Sequence, residues 1–160
     1  MSATVPGTLR SFYVENRQQL YTYALSLTRQ REAAEDAIQQ AFAQLLRRGE
    51  LPADLRPYVF RCVRNAALDG RRRAAVRGES IFAGDAGPVA PAAPGALPAQ
   101  ELEAALRTLS PDEQEAIVLK IYDGFTFQEI ADLRRVPLPT VASWYRRGLD
   151  KLKTRLKPEQ

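Results

Sequence analysis

The sequence predicts an all-α protein of two small helical domains, joined by a linker rich in proline, alanine and glycine, with a helix-turn-helix in the C-terminal domain. Apolar residues recur at helical spacing on both sides of the linker, and two segments carry the Ser/Thr-x-x-Glu pattern that begins helices. Neither strand alternation nor a hairpin signal is visible. We therefore predict an N-terminal domain over residues 8–80, a flexible linker over residues 81–99 and a C-terminal domain over residues 100–157.

Helical periodicity predicts three helices in the N-terminal domain. The apolar positions of the first are Leu20, Ala24 and Leu27, and those of the second are Ala34, Ile38, Ala41 and Leu45. The third helix is expected to begin near Asp54, whose carboxylate could cap it. Its buried positions are predicted to be Val59, Val63 and Ala66. Within each set the residues are three or four apart, so each set lies on one helix face.

The C-terminal domain shows its helix boundaries in the sequence. Ser110 is a capping serine, Pro111 suits the first helical position and Glu113 is the reciprocal glutamate, so a helix is expected from Pro111 to a stop at Gly124. The run Thr126-Phe127-Gln128-Glu129 repeats the capping pattern and predicts a short helix to about Leu133. Pro137 and Pro139 then require a turn before a last helix. Its apolar face is Val141, Tyr145, Leu149, Leu152 and Leu156.

Composition argues against an enzyme. The 160 residues contain no histidine and one cysteine, Cys62, so the chain has no Ser-His or Cys-His nucleophile, no thiolate zinc site and no internal disulfide. It also has no glycine-rich phosphate loop. We predict a non-enzyme without metal or cofactor. The first residues resemble no secretion signal and no apolar run could span a membrane, so a cytoplasmic location is expected.

The net charge of +4 hides strong local charge. Residues 47–77 hold nine basic and three acidic residues, and residues 140–157 hold six basic and one acidic. Residues 99–133 are acidic, with eight acidic against two basic residues. Two basic patches in one small protein favour a polyanionic partner, although basic runs are also common on solvated surfaces.

The C-terminal basic patch lies on the second helix of the predicted helix-turn-helix, whose N-terminal end enters the major groove in DNA-binding proteins. With Val141 and Tyr145 turned to the core, polar side chains form an exposed stripe that could reach base edges and phosphates. The candidate DNA contacts are Thr140, Ser143, Arg146, Arg147 and Lys151. Arg147 could pair with a guanine edge. The alternative is a solvated helix face.

The N-terminal basic patch combines cations with aromatic rings. Arg61, Arg64, Asn65 and Arg72 share a helix face near Tyr58 and Phe60. Bases of single-stranded nucleic acid stack on such rings while cations follow the phosphates. For each ring, a place in the core is at least as consistent with the sequence.

Two segments resemble the bacterial extracytoplasmic function (ECF) sigma factors. LYTYALSLTRQREAAEDAIQQAF (residues 20–42) and YVFRCVRNAALDGRRR (residues 58–73) are similar to their N-terminal domain, and residues 106–153 are similar to their C-terminal domain. The shared pieces are Ala-Glu-Asp-Ala at residues 34–37 with Gln39 and Phe42, then Asn65, Asp69, Arg72 and Arg73, then Glu129-Ile130-Ala131 and Thr140-Val141.

The resemblance implies a subunit that binds core RNA polymerase, directs it to promoter DNA and helps to open it, with an anti-sigma factor as a further partner. It assigns Glu35, Asp36, Gln39 and Gln40 to polymerase binding. It assigns to the proximal promoter element the basic helix face that holds Arg61, Arg64, Asn65, Asp69, Arg72 and Arg73. The last helix, with Thr140, Ser143, Arg146, Arg147 and Lys151, would read the distal element.

The sequence departs from the family pattern at several positions. Arg135 replaces the glycine of the helix-turn-helix turn, so that turn needs another residue with positive φ or another geometry. Ala142 and Trp144 stand where basic residues are usual, so DNA readout there is expected to differ. Gln40 replaces a common glutamate, and Gly70 occupies a helical position at a cost near 1 kcal/mol.

Two other functions fit the same residues. One is a sigma-like mimic that titrates an anti-sigma factor, which lacks support because no regulatory domain is fused to the chain. The other is a stand-alone helix-turn-helix repressor, which would ordinarily dimerise and would leave the N-terminal domain unexplained.

Overall fold

The computed structural model describes residues 4–78 and 104–156, and the chain divides into two compact units, Met1–Ala86 and Gly87–Gln160. Within the described residues all regular structure is helical, as the sequence predicts. No helix among them is long and apolar enough to cross a membrane. The predicted linker, residues 81–99, lies outside the described residues. The domain boundaries therefore stay a prediction.

Residues 4–78 form three mutually packed helices, α1 (Val5–Thr28), α2 (Arg31–Arg48) and α3 (Leu55–Val76). The predicted apolar positions face the core. Leu27 and Ile38 lie at its edge, and the fully buried side chains include Leu20, Ala24, Ala34, Ala41, Leu45, Val59 and Val63. Apolar burial of this kind is the main stabilising contribution in so small a unit.

The three helices end differently, and the predicted cap of α3 by the Asp54 side chain is not formed. Thr4 caps α1 by accepting a hydrogen bond from the Gly7 amide at 3.1 Å, and Gly49 ends α2 in the left-handed conformation. Asp54 stands at the N-cap of α3 as predicted, but its side chain makes no capping hydrogen bond. The Asp54 backbone has ψ near 78°, outside the extended range that aims an N-cap side chain at the first amides.

Residues 104–156 form the helix-turn-helix unit, with α4 (Pro111–Ile117), α5 (Phe127–Arg134) and α6 (Leu138–Leu156). Both predicted capping boxes are present, at Ser110 with Glu113 and at Thr126 with Glu129. The helix predicted to run from Pro111 to a stop at Gly124 ends its regular part at Ile117 and finishes as a π-helical turn, Val118–Tyr122. Gly124, with φ of 69°, then reverses the chain.

The helix-turn-helix turn keeps a left-handed residue without glycine. Arg135 itself adopts φ of 57° and ψ of 50°, and its amide donates to the carbonyl of Ala131. The expectation that a different residue or geometry would be needed is therefore wrong. An L-residue in this conformation costs roughly 1–2 kcal/mol, so packing on both sides of the turn must hold it.

Two helical glycines give a matched test of packing. Gly70→Ala is expected to raise the free energy of unfolding of the N-terminal unit by about 0.5–1 kcal/mol, because an added Cβ meets nothing within 4 Å. Gly148→Ala should instead lower the stability of the C-terminal unit by about 1 kcal/mol, because its Cβ would lie 3.1 Å from Ile117 Cγ1. Urea unfolding followed by circular dichroism and by the fluorescence of the single tryptophan, Trp144, separates the units. Equal stabilisation by both substitutions would contradict the close approach of α6 to α4.

Candidate nucleic-acid and protein interfaces

The predicted DNA-contact residues of the C-terminal unit lie together on α6. Val141 is fully buried and sets the rotation of the helix. Thr140 and Ser143 are then half-buried, whereas Arg146, Arg147 and Lys151 are exposed. Arg147 Nη1 donates to Ser143 Oγ at 3.1 Å, so these side chains one turn apart are connected. The structure thus presents a polar and basic surface on the helix that follows the turn.

Glu113 on α4, which the sequence suggested only as a capping residue, contacts Arg147 and Lys151 of this surface. Its Oε1 accepts hydrogen bonds from the Ser110 amide at 3.1 Å and from Lys151 Nζ at 2.6 Å. Its Oε2 lies 3.4 Å from Arg147 Nε. Burial alone would raise the pKa of Glu113, but the hydrogen bonds from Lys151, Ser110 and Arg147 outweigh it and lower that pKa below its ordinary value. The carboxylate is therefore ionised beneath the two cations.

A second ionic cluster, not anticipated from the sequence, joins the three helices of this unit. Arg134, at the end of α5, has a side chain only 12% exposed, and its guanidinium lies 2.8 Å from Asp112 Oδ1 and 3.2 Å from Glu115 Oε1 on α4. The same guanidinium stacks over the Trp144 ring of α6, 4.8 Å from its centroid. Trp144, predicted to change DNA readout, is thus half-buried and positioned by Arg134.

The predicted proximal-promoter residues lie along α3, but they do not form one uniform face. Arg61 and Arg64 are half-buried, while Asn65, Asp69, Arg72 and Arg73 are exposed. Arg72 Nη1 lies 3.5 Å from Asp69 Oδ1, one turn earlier. Arg73 turns toward α2, where its Nη2 donates to Gln40 Oε1 at 3.3 Å. Arg73, which is predicted to bind DNA, therefore contacts Gln40, which is predicted to bind polymerase.

The two aromatic rings of the N-terminal patch have different environments. Phe60 is 0% exposed and lies 5.5 Å from the Tyr23 ring, so it belongs to the core and cannot stack on bases. Tyr58 is half-buried, with the Arg48 guanidinium 5.7 Å from its ring centroid. Of the two, only Tyr58 retains surface for a base.

The predicted polymerase-binding residues lie on the outer face of α2. Glu35, Asp36 and Gln39 are exposed, and Gln40 is half-buried and accepts the hydrogen bond from Arg73. Beside Glu35 and Gln39, an open groove of about 740 Å³ runs between α1 and α2. Its apolar lining includes Tyr13 and Phe42, whose rings meet edge to face 5.6 Å apart. Periodicity alone did not reveal this groove, because exposed apolar residues such as Tyr13 interrupt the helical pattern.

Among residues 4–78 and 104–156, no group of three or more acidic, cysteine or histidine side chains could hold a metal ion. Cys62 is half-buried, and burial raises the pKa of its thiol above the ordinary value.

Comparison with known proteins identifies the two units. Residues 12–77 match the family model of sigma-70 region 2, and residues 99–152 match that of sigma-70, region 4. A similar solved structure is that of the sigma factor RpoE in complex with the anti-sigma factor NepR from Bartonella quintana. The two chains are 25% identical with a TM-score of 0.77, and the match covers 96% of this chain and 99% of that one.

The chain belongs to the ECF sigma factor family. No curated protein sequence matches it. In this ECF sigma factor, region 2 includes α2 and α3, and the DNA-binding region 4 includes α4, α5 and most of α6. The family resemblance is thereby confirmed, together with core RNA polymerase and promoter DNA as its partners.

Proposed function

We propose that this ECF sigma factor directs core RNA polymerase to specific promoters and assists DNA opening, acting by binding rather than by catalysis in the bacterial cytoplasm. The strongest support is the surface of α6, the helix that follows the turn, which presents Thr140 and Ser143 in its first two turns and the exposed Arg146 and Arg147 at its middle. The N-terminal part of such a helix enters the major groove, and arginine is the commonest reader of guanine there.

Three groups of residues carry this proposal. Thr140, Ser143, Arg146, Arg147 and Lys151 contact the distal element, and Arg61, Arg64, Asn65, Asp69, Arg72 and Arg73 face the proximal element at the opening DNA. Glu35, Asp36, Gln39 and Gln40 dock on polymerase. An anti-sigma factor is a further proposed partner, since the similar RpoE was crystallised with one.

Run-off transcription tests the proposed function. Purified bacterial core polymerase is given fragmented genomic DNA with and without the full chain, and the transcript starts are mapped. New starts that share an upstream sequence are expected. No new starts despite tight polymerase binding would contradict promoter direction, and absence of polymerase binding would favour the mimic or the repressor.

Replacing Arg72 and Arg73 together by alanine is expected to slow promoter opening by about tenfold or more. Charge-assisted hydrogen bonds contribute roughly 1.5–3 kcal/mol each, and about 1.4 kcal/mol is tenfold. Permanganate reactivity of unpaired thymines measures opening on a promoter found by the run-off assay. A template with a preformed bubble should restore initiation by the double variant.

Arg73→Ala alone is the control for the contact with Gln40, because it removes that hydrogen bond while Arg72 stays in place. Holoenzyme assembly is measured for both variants. Normal opening by the double variant on fully paired DNA would contradict the role of α3.

A further inference from the structure

Glu113 occupies the point where α6 crosses α4. An added Cβ at Gly148 would lie 3.4 Å from Glu113 Cβ, so the backbone of α6 passes directly over this side chain. Arg147 and Lys151 flank the crossing, one helical turn apart on α6. The Glu113 side chain is 6% exposed, whereas those of Arg147 and Lys151 are 55% and 47% exposed. The buried Glu113 carboxylate thus contacts donors of Arg147 and Lys151, while the remaining parts of both side chains are exposed to solvent.

The Arg147 guanidinium has more N–H groups than its contacts within the protein use. A guanidinium has five N–H groups. In Arg147 one at Nε faces Glu113 and one at Nη1 donates to Ser143. Among the described residues Arg147 makes no other polar contact, so three N–H groups at its outer end stay open. Two parallel donors of this kind are what the O6 and N7 acceptors of guanine require.

Charge compensation has a second effect. Non-specific attraction to DNA depends on the number of phosphates that cations neutralise. The Glu113 carboxylate offsets part of the charge of Arg147 and Lys151, and it restrains two side chains that otherwise sample many rotamers. An ordered arginine whose charge is partly neutralised gains less binding free energy from an arbitrary phosphate. Its guanidinium nevertheless stays oriented to pair with one base edge.

We propose that Glu113 is a positioning residue for sequence readout, which orients Arg147 and Lys151 on α6 so that the protein favours its own promoter over arbitrary duplex DNA. This inference rests on the proposed role of α6 as the distal-promoter reader. It extends that role to a residue on α4 whose side chain is buried beneath α6.

Glu113→Gln tests the proposal, because a glutamine at this helix position can still accept the Ser110 N–H. The substitution removes the negative charge and replaces one carboxylate oxygen by an NH2 donor, which cannot accept from Arg147 or Lys151. Glu129→Gln is the matched control, since Glu129 caps α5 in the same way, with its Oε1 2.9 Å from the Thr126 amide. Glu129 contacts no cation among the described residues. Trp144 fluorescence checks that both variants fold.

Holoenzyme assembled from the full chain and bacterial core polymerase first selects its preferred sequence from a randomised duplex library. Equilibrium competition then gives the ratio of affinities for the selected duplex and for one unselected duplex. We expect Glu113→Gln to lower this ratio about tenfold, to tighten binding to the unselected duplex about threefold and to steepen its salt dependence. Glu129→Gln should stay within twofold of the unsubstituted protein.

A background lacking both cations, Arg147→Ala with Lys151→Ala, separates positioning from general structure. There Glu113→Gln should no longer change the ratio. An unchanged ratio in the original background, or the same tenfold loss without the two cations, would overturn the proposal. If Glu113→Gln does not fold, Glu113→Asp keeps the charge but withdraws it from both cations, and it should lower the ratio in the same direction.

The same measurements distinguish failure of the proposed function of α6 from failure of the proposed role of Glu113. If the holoenzyme selects no sequence, or if removing Arg147 and Lys151 leaves selectivity unchanged, then the proposed function of α6 fails and the role of Glu113 fails with it. If removing the two cations lowers selectivity but Glu113→Gln behaves like Glu129→Gln, only the role of Glu113 is refuted.

Discussion

Replacing Arg134 by methionine is expected to lower the free energy of unfolding of the C-terminal unit by about 3–5 kcal/mol. Methionine keeps much of the aliphatic volume but removes the guanidinium that contacts Asp112 and Glu115. The Glu115 side chain is only 5% exposed, so little water can reach its carboxylate to replace the lost contact. Removing one partner of a buried ion pair leaves the other charge to bear its desolvation cost.

The single tryptophan makes this loss measurable. Trp144 lies in the C-terminal unit, so its fluorescence during urea unfolding follows that unit even if the N-terminal unit unfolds separately. The matched control is Arg146→Met on α6, where the side chain is exposed, and a change within about 0.5 kcal/mol is expected. A loss below about 1 kcal/mol for Arg134→Met would show that the ionic cluster contributes little to stability.

Phe60→Ala is expected to destabilise the N-terminal unit by about 3–5 kcal/mol, because it empties a fully buried site against Tyr23. Small domains have net stabilities of about 5–15 kcal/mol, so this loss could remove most of the folded population of the unit. Circular dichroism during urea unfolding should show a transition at lower urea that Trp144 fluorescence does not share.

Tyr58→Ala is the comparison for Phe60→Ala, because its ring is half-buried and faces Arg48 rather than the core. It should cost less stability and instead weaken binding of single-stranded promoter DNA by the holoenzyme, since stacking contributes roughly 1–3 kcal/mol per base. Equal destabilisation by the two substitutions would contradict the different environments of the rings.

Some features of the site were predictable because they depend on residues within one helical turn. The capping boxes at Ser110 and Thr126 involve residues three apart, and the spacing of those residues places donor and acceptor together. The exposed stripe on α6 followed in the same way from the helical spacing of the apolar face that contains Val141. Local rules did not decide that Arg135 would adopt positive φ, since a non-glycine residue keeps that conformation only where the surrounding structure imposes it.

Residue types and their spacing were enough to predict that this protein is helical, where most of its helices begin, and which side chains its binding surfaces offer. Which of those side chains contact one another depends on the tertiary structure. Arg73 and Gln40 are 33 positions apart, and Lys151 and Glu113 are 38 apart. Such contacts depend on how helices cross, which periodicity does not specify. The same reason separates Phe60 from Tyr58: their spacing allowed either ring to face the core, and helix packing buried one completely.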